Sequence, residues 1–311
     1  MTHPSVQRDR IEREAGRWRA LALLAVALVL SMTTWFSASA VIPQLRMEWG
    51  LSDNAAAWLT IAVQLGFVCG ALVSSLLNLS DVVPPRQVIL GGAIGAATVN
   101  GLLGVAGGAA VGIPLRFATG FFLAGVYPPA LKLMSTWFRK GRGIALGVLV
   151  GALTVGSAMP HFVNGLGGLD WRMVIYATSV LTLAGGLIVE LAVREGPFPF
   201  PRATFDPRQA GRVFANRGVR LVSFGYFGHM WELYAMWTWF LVFFSDELTA
   251  RGTSVGSAAA YATFAVIAVG GLGCWAGGAL GDRWGRTRTT ALMMAVSGIC
   301  CVLIGLLFGA P

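Results

Sequence analysis

Charge is scarce in this sequence. Only 12% of its 311 residues are Asp, Glu, Lys or Arg, where a soluble domain carries about 25%. Histidine is scarcer still, with three copies. No His, Asp or Glu group falls at metal-ligand spacing and no nucleophile sits beside a base, so an enzyme, a metal centre and a cofactor are not expected. The phosphate-cradling pattern G-x-x-x-x-G-K-[ST] is absent, which argues against an ATP-driven pump. Four cysteines (Cys69, Cys274, Cys300 and Cys301) all lie inside apolar runs. They offer neither a disulfide framework nor a metal site and read as small packing residues.

What is present is apolar. Hydrophobic residues make up 56% of the chain, and glycine contributes 41 positions. The apolar residues fall into nine runs, at about 20–42, 55–78, 87–106, 110–135, 143–165, 173–193, 219–245, 257–280 and 289–309. Runs of roughly twenty residues match a bilayer core of about 30 Å crossed as a helix. The expected fold is therefore an all-α, multi-pass membrane protein. The first run has a basic front (Arg13, Arg17, Arg19) and an Ala38-Ser39-Ala40 stretch like a cleavage site. It is longer than the roughly 7–15 residues of a signal-peptide core, so an uncleaved helix is expected.

The positive charges set an orientation. With the N-terminus inside the cell, nineteen Lys and Arg fall in inner segments and three (Arg46, Arg172, Arg251) in outer ones, while Arg116 lies within a span. That bias fixes a topology in the inner membrane. It also accounts for the net charge of +9 without a nucleic-acid partner; the bilayer itself is the expected partner. The longest loop, Arg194 to Arg220, is rich in Pro and Arg and reads as a linker. The division expected is 1–193 as a six-helix bundle, 194–218 as a cytoplasmic linker, and 219–311 as a partial, three-helix bundle.

A faint repeat supports two halves. Ala55-Ala56-Ala57-Trp58 precedes Asp81, and Ala258-Ala259-Ala260-Tyr261 precedes Asp282, at an offset of about 200 residues. Two full halves of that size would exceed this chain by about three helices. Small residues recur at four-residue spacing, as in Gly143, Gly147 and Gly151, which lets helices approach closely in lipid.

Two places carry chemistry. The loop Gly278 to Arg288 packs Asp282, Arg283, Gly285 and Arg286 between two apolar runs. Asp282 can accept from amides at a helix N-terminus, where the dipole favours negative charge, and Arg283 and Arg286 can reach carboxylates or headgroups. Such a loop suits a clamp on helix ends. The second place is the seventh run. Glu232 falls near its middle, where a carboxylate is costly and reversible protonation would relieve the cost. His229, one turn earlier, could share its proton. Trp231 and Tyr234 flank Glu232 as cavity candidates, with Trp35 and Gln64 from the first two runs. Arg116 lies close enough to the outer end of its run to snorkel outward, or to act as a cavity cation. His161 reads as interfacial, and Glu190 as reaching headgroups or Arg194.

The sequence resembles the major facilitator superfamily of secondary transporters. Gly278 to Arg288 matches that family's G-x-x-x-D-R-x-G-R signature, and the first-half copy keeps Asp81 and Arg86 but has Val82 and Pro84 where arginine and glycine are usual. Arg116, Gly120, Gly125 and Pro128 resemble its fourth-helix motif. Gly147, Gly151 and Gly156 resemble its antiporter-linked glycine motif, with Ala152 in place of proline. Gly228 to Tyr234 is similar to the nitrate/cyanate-porter-like branch, although that branch's paired cavity arginines are absent. The resemblance implies two bundles of inverted three-helix repeats that rock around a site near the midplane. The implied function is alternating-access transport of a small solute, coupled to protons. The alternatives are a truncated or split protein with little transport, or an interaction protein on the same scaffold. Substrate and oligomeric state are not legible.

Overall fold

A computed structural model describes residues 4–166, 170–198 and 215–308, with side chains from residue 16 onward. The described residues are helical, joined by turns, and contain no strand. Eight stretches are long and apolar enough to cross a membrane: Gly16–Thr34, Asp53–Leu76, Pro85–Val105, Ala109–Ser135, Arg142–Gly165, Trp171–Ala192, Ala258–Trp284 and Arg286–Leu306. The remaining expected span, the seventh run, is present as a helix, Arg217–Ala250. Its Trp, Tyr, His and Glu content keeps it out of the strongly apolar set. The expected linker, 194–218, lies largely outside the described residues.

The first span is not one helix. α1 (Pro4–Ser31) gives way to two 3₁₀ turns, Met32–Thr34 and Ser39–Val41, before the short α2 (Ile42–Trp49). Hydroxyls compete with the backbone there. Thr33 Oγ1 donates to the Leu30 carbonyl at 2.7 Å and Ser37 Oγ to the Thr34 carbonyl at 3.0 Å. α3 (Asp53–Leu76) is capped by Ser52, whose Oγ accepts from the Ala55 amide at 3.2 Å. The short α4 (Leu79–Val82) leads to α5 (Pro85–Leu102).

The fourth span is also broken, into α6 (Ala109–Leu123) and α7 (Tyr127–Ser135). Pro128 and Pro129 have no N–H to return to the carbonyls four residues back, so the helix restarts just before them. α8 (Arg142–Gly165), α9 (Trp171–Ala192), α10 (Arg217–Ala250), α11 (Ala258–Trp284) and α12 (Arg286–Leu306) follow. α10 is capped by Asn216, whose Oδ1 accepts from the Gly218 amide at 2.9 Å and the Val219 amide at 3.3 Å.

The main core joins Leu24, Leu28 and Phe36 to Ile89, Leu123, Leu133 and Leu149, and reaches Trp237 of α10 and Ile267 of α11. The most extensive helix contact is that of α8 with α11; α3 with α6 and α5 with α9 come next. α11 and α12 bury little else, and their apolar side chains face outward.

Candidate functional site

Asp282 sits near the end of α11, one turn before Gly285 breaks the helix. Gly285 has φ +88° and ψ 150°, a conformation reserved for glycine, and this sharp reversal starts α12 at Arg286. The carboxylate of Asp282 accepts the Gly143 amide at Oδ1 and the Ile144 amide at Oδ2, both at 3.2 Å. These amides belong to the first turn of α8, which has no carbonyls to offer them within the helix. The aspartate therefore caps a neighbouring helix across the fold, as the sequence anticipates.

The rest of the α8–α11 contact is made of glycine. A β-carbon on Gly143 would lie 2.6 Å from the Gly278 carbonyl oxygen, on Gly147 2.5 Å from the Cys274 oxygen, and on Gly151 2.8 Å from the Gly271 oxygen. Any side chain at these positions would hold the two backbones apart. Gly156 continues the series but turns to α1, where its β-carbon would meet Val29 at 3.0 Å from Cα. Gly120 packs on the Val63 and Phe67 backbone of α3, and Gly125 lies against Gly92 of α5. Arg283 and Arg286 are exposed and form no ion pair among the described residues.

The first-half copy of the loop engages differently. Asp81 pairs with Lys132 of α7 at 2.5 Å, and Lys132 also donates to the Ser80 carbonyl at 2.7 Å. Arg86 lies 3.8 Å from Glu190 of α9, so Glu190 meets Arg86 rather than headgroups or Arg194.

A groove of about 400 Å³ runs between α3 and α10. Its polar lining is Thr60, Gln64 and Thr238, and its aromatic lining includes Trp231, Tyr234 and Trp239. Trp35 stacks on Tyr234 with centroids 6.2 Å apart and meets Phe67 edge-on at 4.9 Å. Four expected cavity residues, Gln64, Trp231, Tyr234 and Trp35, therefore come together.

Three others do not join them. Glu232 faces α12, where its Oε1 accepts from the Ser297 hydroxyl and from Cys301 Sγ at 3.4 Å. The helical stripe that lines the groove (Phe227, Met230, Trp231, Tyr234, Thr238) turns Glu232 away from it. His229 makes no hydrogen bond to Glu232, and its Nδ1 is buried without a partner. Arg116 neither snorkels nor opens onto the groove. It is wholly buried, and its guanidinium donates to the Thr34 carbonyl at 2.9 Å, to the Trp35 carbonyl, to the Leu59 carbonyl at 3.4 Å, to Ser37 Oγ at 3.2 Å and to Asn100 Oδ1 at 3.2 Å. The break in α1 frees carbonyls at the negative end of that helix, and the arginine fork fills them.

Asn100 is the residue that sequence reasoning missed. Its Oδ1 accepts from Ser37 Oγ at 2.8 Å, and its Nδ2 donates to Ser179 Oγ at 3.0 Å, Ile175 O at 3.2 Å and Thr178 Oγ1 at 3.3 Å. A lone amide in an apolar run is a legible signal for such a hub. His161 is buried, not interfacial, with both ring nitrogens unpartnered. Outside the spanning helices, bonds from Arg172 and from Trp171 Nε1, the latter at 2.7 Å, hold the Glu48 carboxyl below the usual carboxylate range.

Comparison with known proteins agrees with this architecture. The family model for the Major Facilitator Superfamily matches residues 24–311. The chain is 27% identical over 183 residues to the puromycin resistance protein pur8 of Streptomyces alboniger, covering 58% of this chain and 36% of that protein. It is 27% identical over 194 residues to the multidrug efflux pump LfrA of Mycolicibacterium smegmatis (61% and 38% covered). It is 24% identical over 252 residues to the tetracenomycin C resistance and export protein of Streptomyces glaucescens (78% and 43% covered). The chain thus spans about two fifths of the length of these relatives. Among solved structures it is similar to a bacterial homolog of the human lysosomal transporter Spinster, inward-facing and unoccupied, with TM-score 0.63 and 19% identity over 86% of this chain and 63% of that one. The likeness shows the fold.

Proposed function

We propose, from the premise that this chain belongs to the major facilitator superfamily, that it carries the gate and part of the solute path of an alternating-access exporter. The observation that carries this reading is the seam between α8 and α11. A glycine-lined contact holds the two backbones together, and a single carboxylate, Asp282, ties one helix to the amide end of the other. Exposed charge at a helix N-terminus contributes about 0.3–1 kcal/mol. A contact of that strength can be made and broken during turnover, which a gate requires and a permanent core contact does not. In this reading the seam is cytoplasmic, in line with the charge bias of the loops.

The solute is small and aromatic. The groove beside Gln64 and Tyr234 offers stacking surfaces and uncharged donors and acceptors. The relatives include one named for puromycin resistance and one named for tetracenomycin C resistance and export, and these compounds serve as the probes for this chain. We assign proton coupling in this reading to Glu232, the carboxylate near the middle of α10, which Ser297 and Cys301 hold toward α12.

The test is export from cells. Expression of the chain is expected to lower accumulation of puromycin or tetracenomycin C, and Asp282→Asn to restore accumulation without loss of protein from the membrane. Equal accumulation with and without the chain, for both compounds, would count against the reading.

A further inference from the structure

Hydroxyls inside a helix commonly turn back on their own backbone. Thr119, Thr154 and Thr263 do so here, each donating to the carbonyl four residues back, at 2.8, 3.0 and 2.7 Å. Three polar side chains of α3 and α10 find no such partner. Among the described residues, the Gln64 amide, the Tyr234 hydroxyl and the Thr238 hydroxyl make no hydrogen bond, although all three residues are half-buried. All three line the groove of about 400 Å³ between α3 and α10. Helix geometry puts them there: Gln64 lies one turn beyond Thr60, and Thr238 one turn beyond Tyr234, on the stripes that face the groove. A polar group in an apolar span is costly unless a partner answers it. Three unanswered ones on the walls of one cavity point to a partner that enters the cavity. Its volume suits a small organic molecule.

The charge around the groove narrows what that molecule is. No lining residue is charged. Glu232 follows Trp231 in the chain but is turned to Ser297 of α12. The buried charge behind α3 is positive. Arg116 donates to the Leu59 carbonyl at 3.4 Å, next in sequence to Thr60 of the groove wall, and to the carbonyl of Trp35, whose ring stacks on Tyr234. Its donors are engaged, so it opposes a cation without offering an anion a hydrogen bond. The exposed indoles of Trp231 and Trp239 leave ring faces available. A ring face alone attracts a cation too weakly to replace the hydration it loses in an apolar site.

We propose that Gln64, Tyr234 and Thr238 read the carbonyl and hydroxyl oxygens of a flat, uncharged aromatic solute. Trp231 and Trp239 stack on its rings, and the groove rejects flat organic cations. The Gln64 amide supplies a donor and an acceptor, and each hydroxyl supplies either. The inference rests on the transport reading and narrows its solute by charge.

The test is equilibrium binding to the purified chain in detergent, read by quenching of tryptophan fluorescence. The probes are 2-(hydroxymethyl)anthraquinone, which is uncharged and carries hydroxyl and carbonyl oxygens, and ethidium, a flat cation. The uncharged probe is expected to bind more tightly than ethidium. Gln64→Leu is expected to weaken it about tenfold and Thr238→Val about threefold, as for the loss of one hydrogen bond of ordinary strength. Ethidium binding is expected to stay as it is in both variants. Equal weakening of both probes would make these residues structural and overturn the proposal. Tighter binding of ethidium than of the anthraquinone, or anthraquinone binding unmoved by both variants, would also overturn it. Should Gln64→Leu not fold, Thr238→Val decides alone. Binding is measured without transport, so the two readings fail separately. Selective binding with no effect of the chain on cellular accumulation would leave the site standing and remove the transport reading. Export without selective binding would remove the site and leave the transport reading.

Discussion

At the scale of single residues, the chain uses its few charges where the backbone is broken. Arg116 is the clearest case. A buried cation in a membrane span is expensive, and here the cost is offset by the Thr34 and Trp35 carbonyls exposed by the break after Ser31. Lysine cannot reproduce the planar fork. Arg116→Lys is expected to lower stability by about 2 kcal/mol, read as a fall in melting temperature in detergent; an unchanged melting temperature would remove Arg116 from that role. Glu48 gives a pH-dependent case. Its carboxyl is held low by bonds from Arg172, so its contribution is present above the ordinary glutamate range and is lost as pH falls through the lowered value. Glu48→Gln is expected to melt earlier than the parent at neutral pH and to converge with it only as the pH falls below the ordinary glutamate range and through the lowered value. Glu232→Gln is expected to abolish the pH dependence of export while the protein still folds; retained pH dependence would move the coupling elsewhere. The sequence made Asp282, Gln64, Trp231 and Tyr234 legible, because a motif or a stripe on one helix places them. It misdirected Glu232, because depth in the bilayer does not say which neighbour a helix face meets. It misread Arg116, because composition does not show that the first span is broken and has carbonyls to offer.

At the scale of elements, glycine decides how close helices come. The α8–α11 seam is backbone against backbone at three successive glycines of α8, and this spacing of four is visible in the sequence as Gly143, Gly147 and Gly151. Gly147→Val would force the Cys274 carbonyl away. It is expected to weaken the seam by about 1–3 kcal/mol and to make the cysteine at 274 react faster with a membrane-permeant maleimide. No change in that rate would mean that the seam does not depend on close approach. Gly285→Ala strains the reversal between α11 and α12 by about 1–3 kcal/mol, and is expected to loosen Asp282 from its amides. The breaks at Met32–Val41 and Ala124–Val126 were only half legible. Pro128 and Pro129 announce the second. The first depends on a cluster of Ser and Thr hydroxyls that each look harmless alone.

At the scale of the whole molecule, the most extensive seam between the part of the chain before the 194–218 segment and the part after it, among the described residues, is held by a weak charged cap over a tight glycine contact. In the transport reading, that combination lets the seam be both specific and reversible. The most direct measurement is the distance between spin labels at Lys140→Cys and Arg283→Cys, which face each other across the Asp282 end of the seam, in a background without the four native cysteines. Two distance populations are expected in lipid, with the shorter one depleted by Asp282→Asn. A single distance, unmoved by Asp282→Asn, would show a fixed contact and rule out a reversible seam.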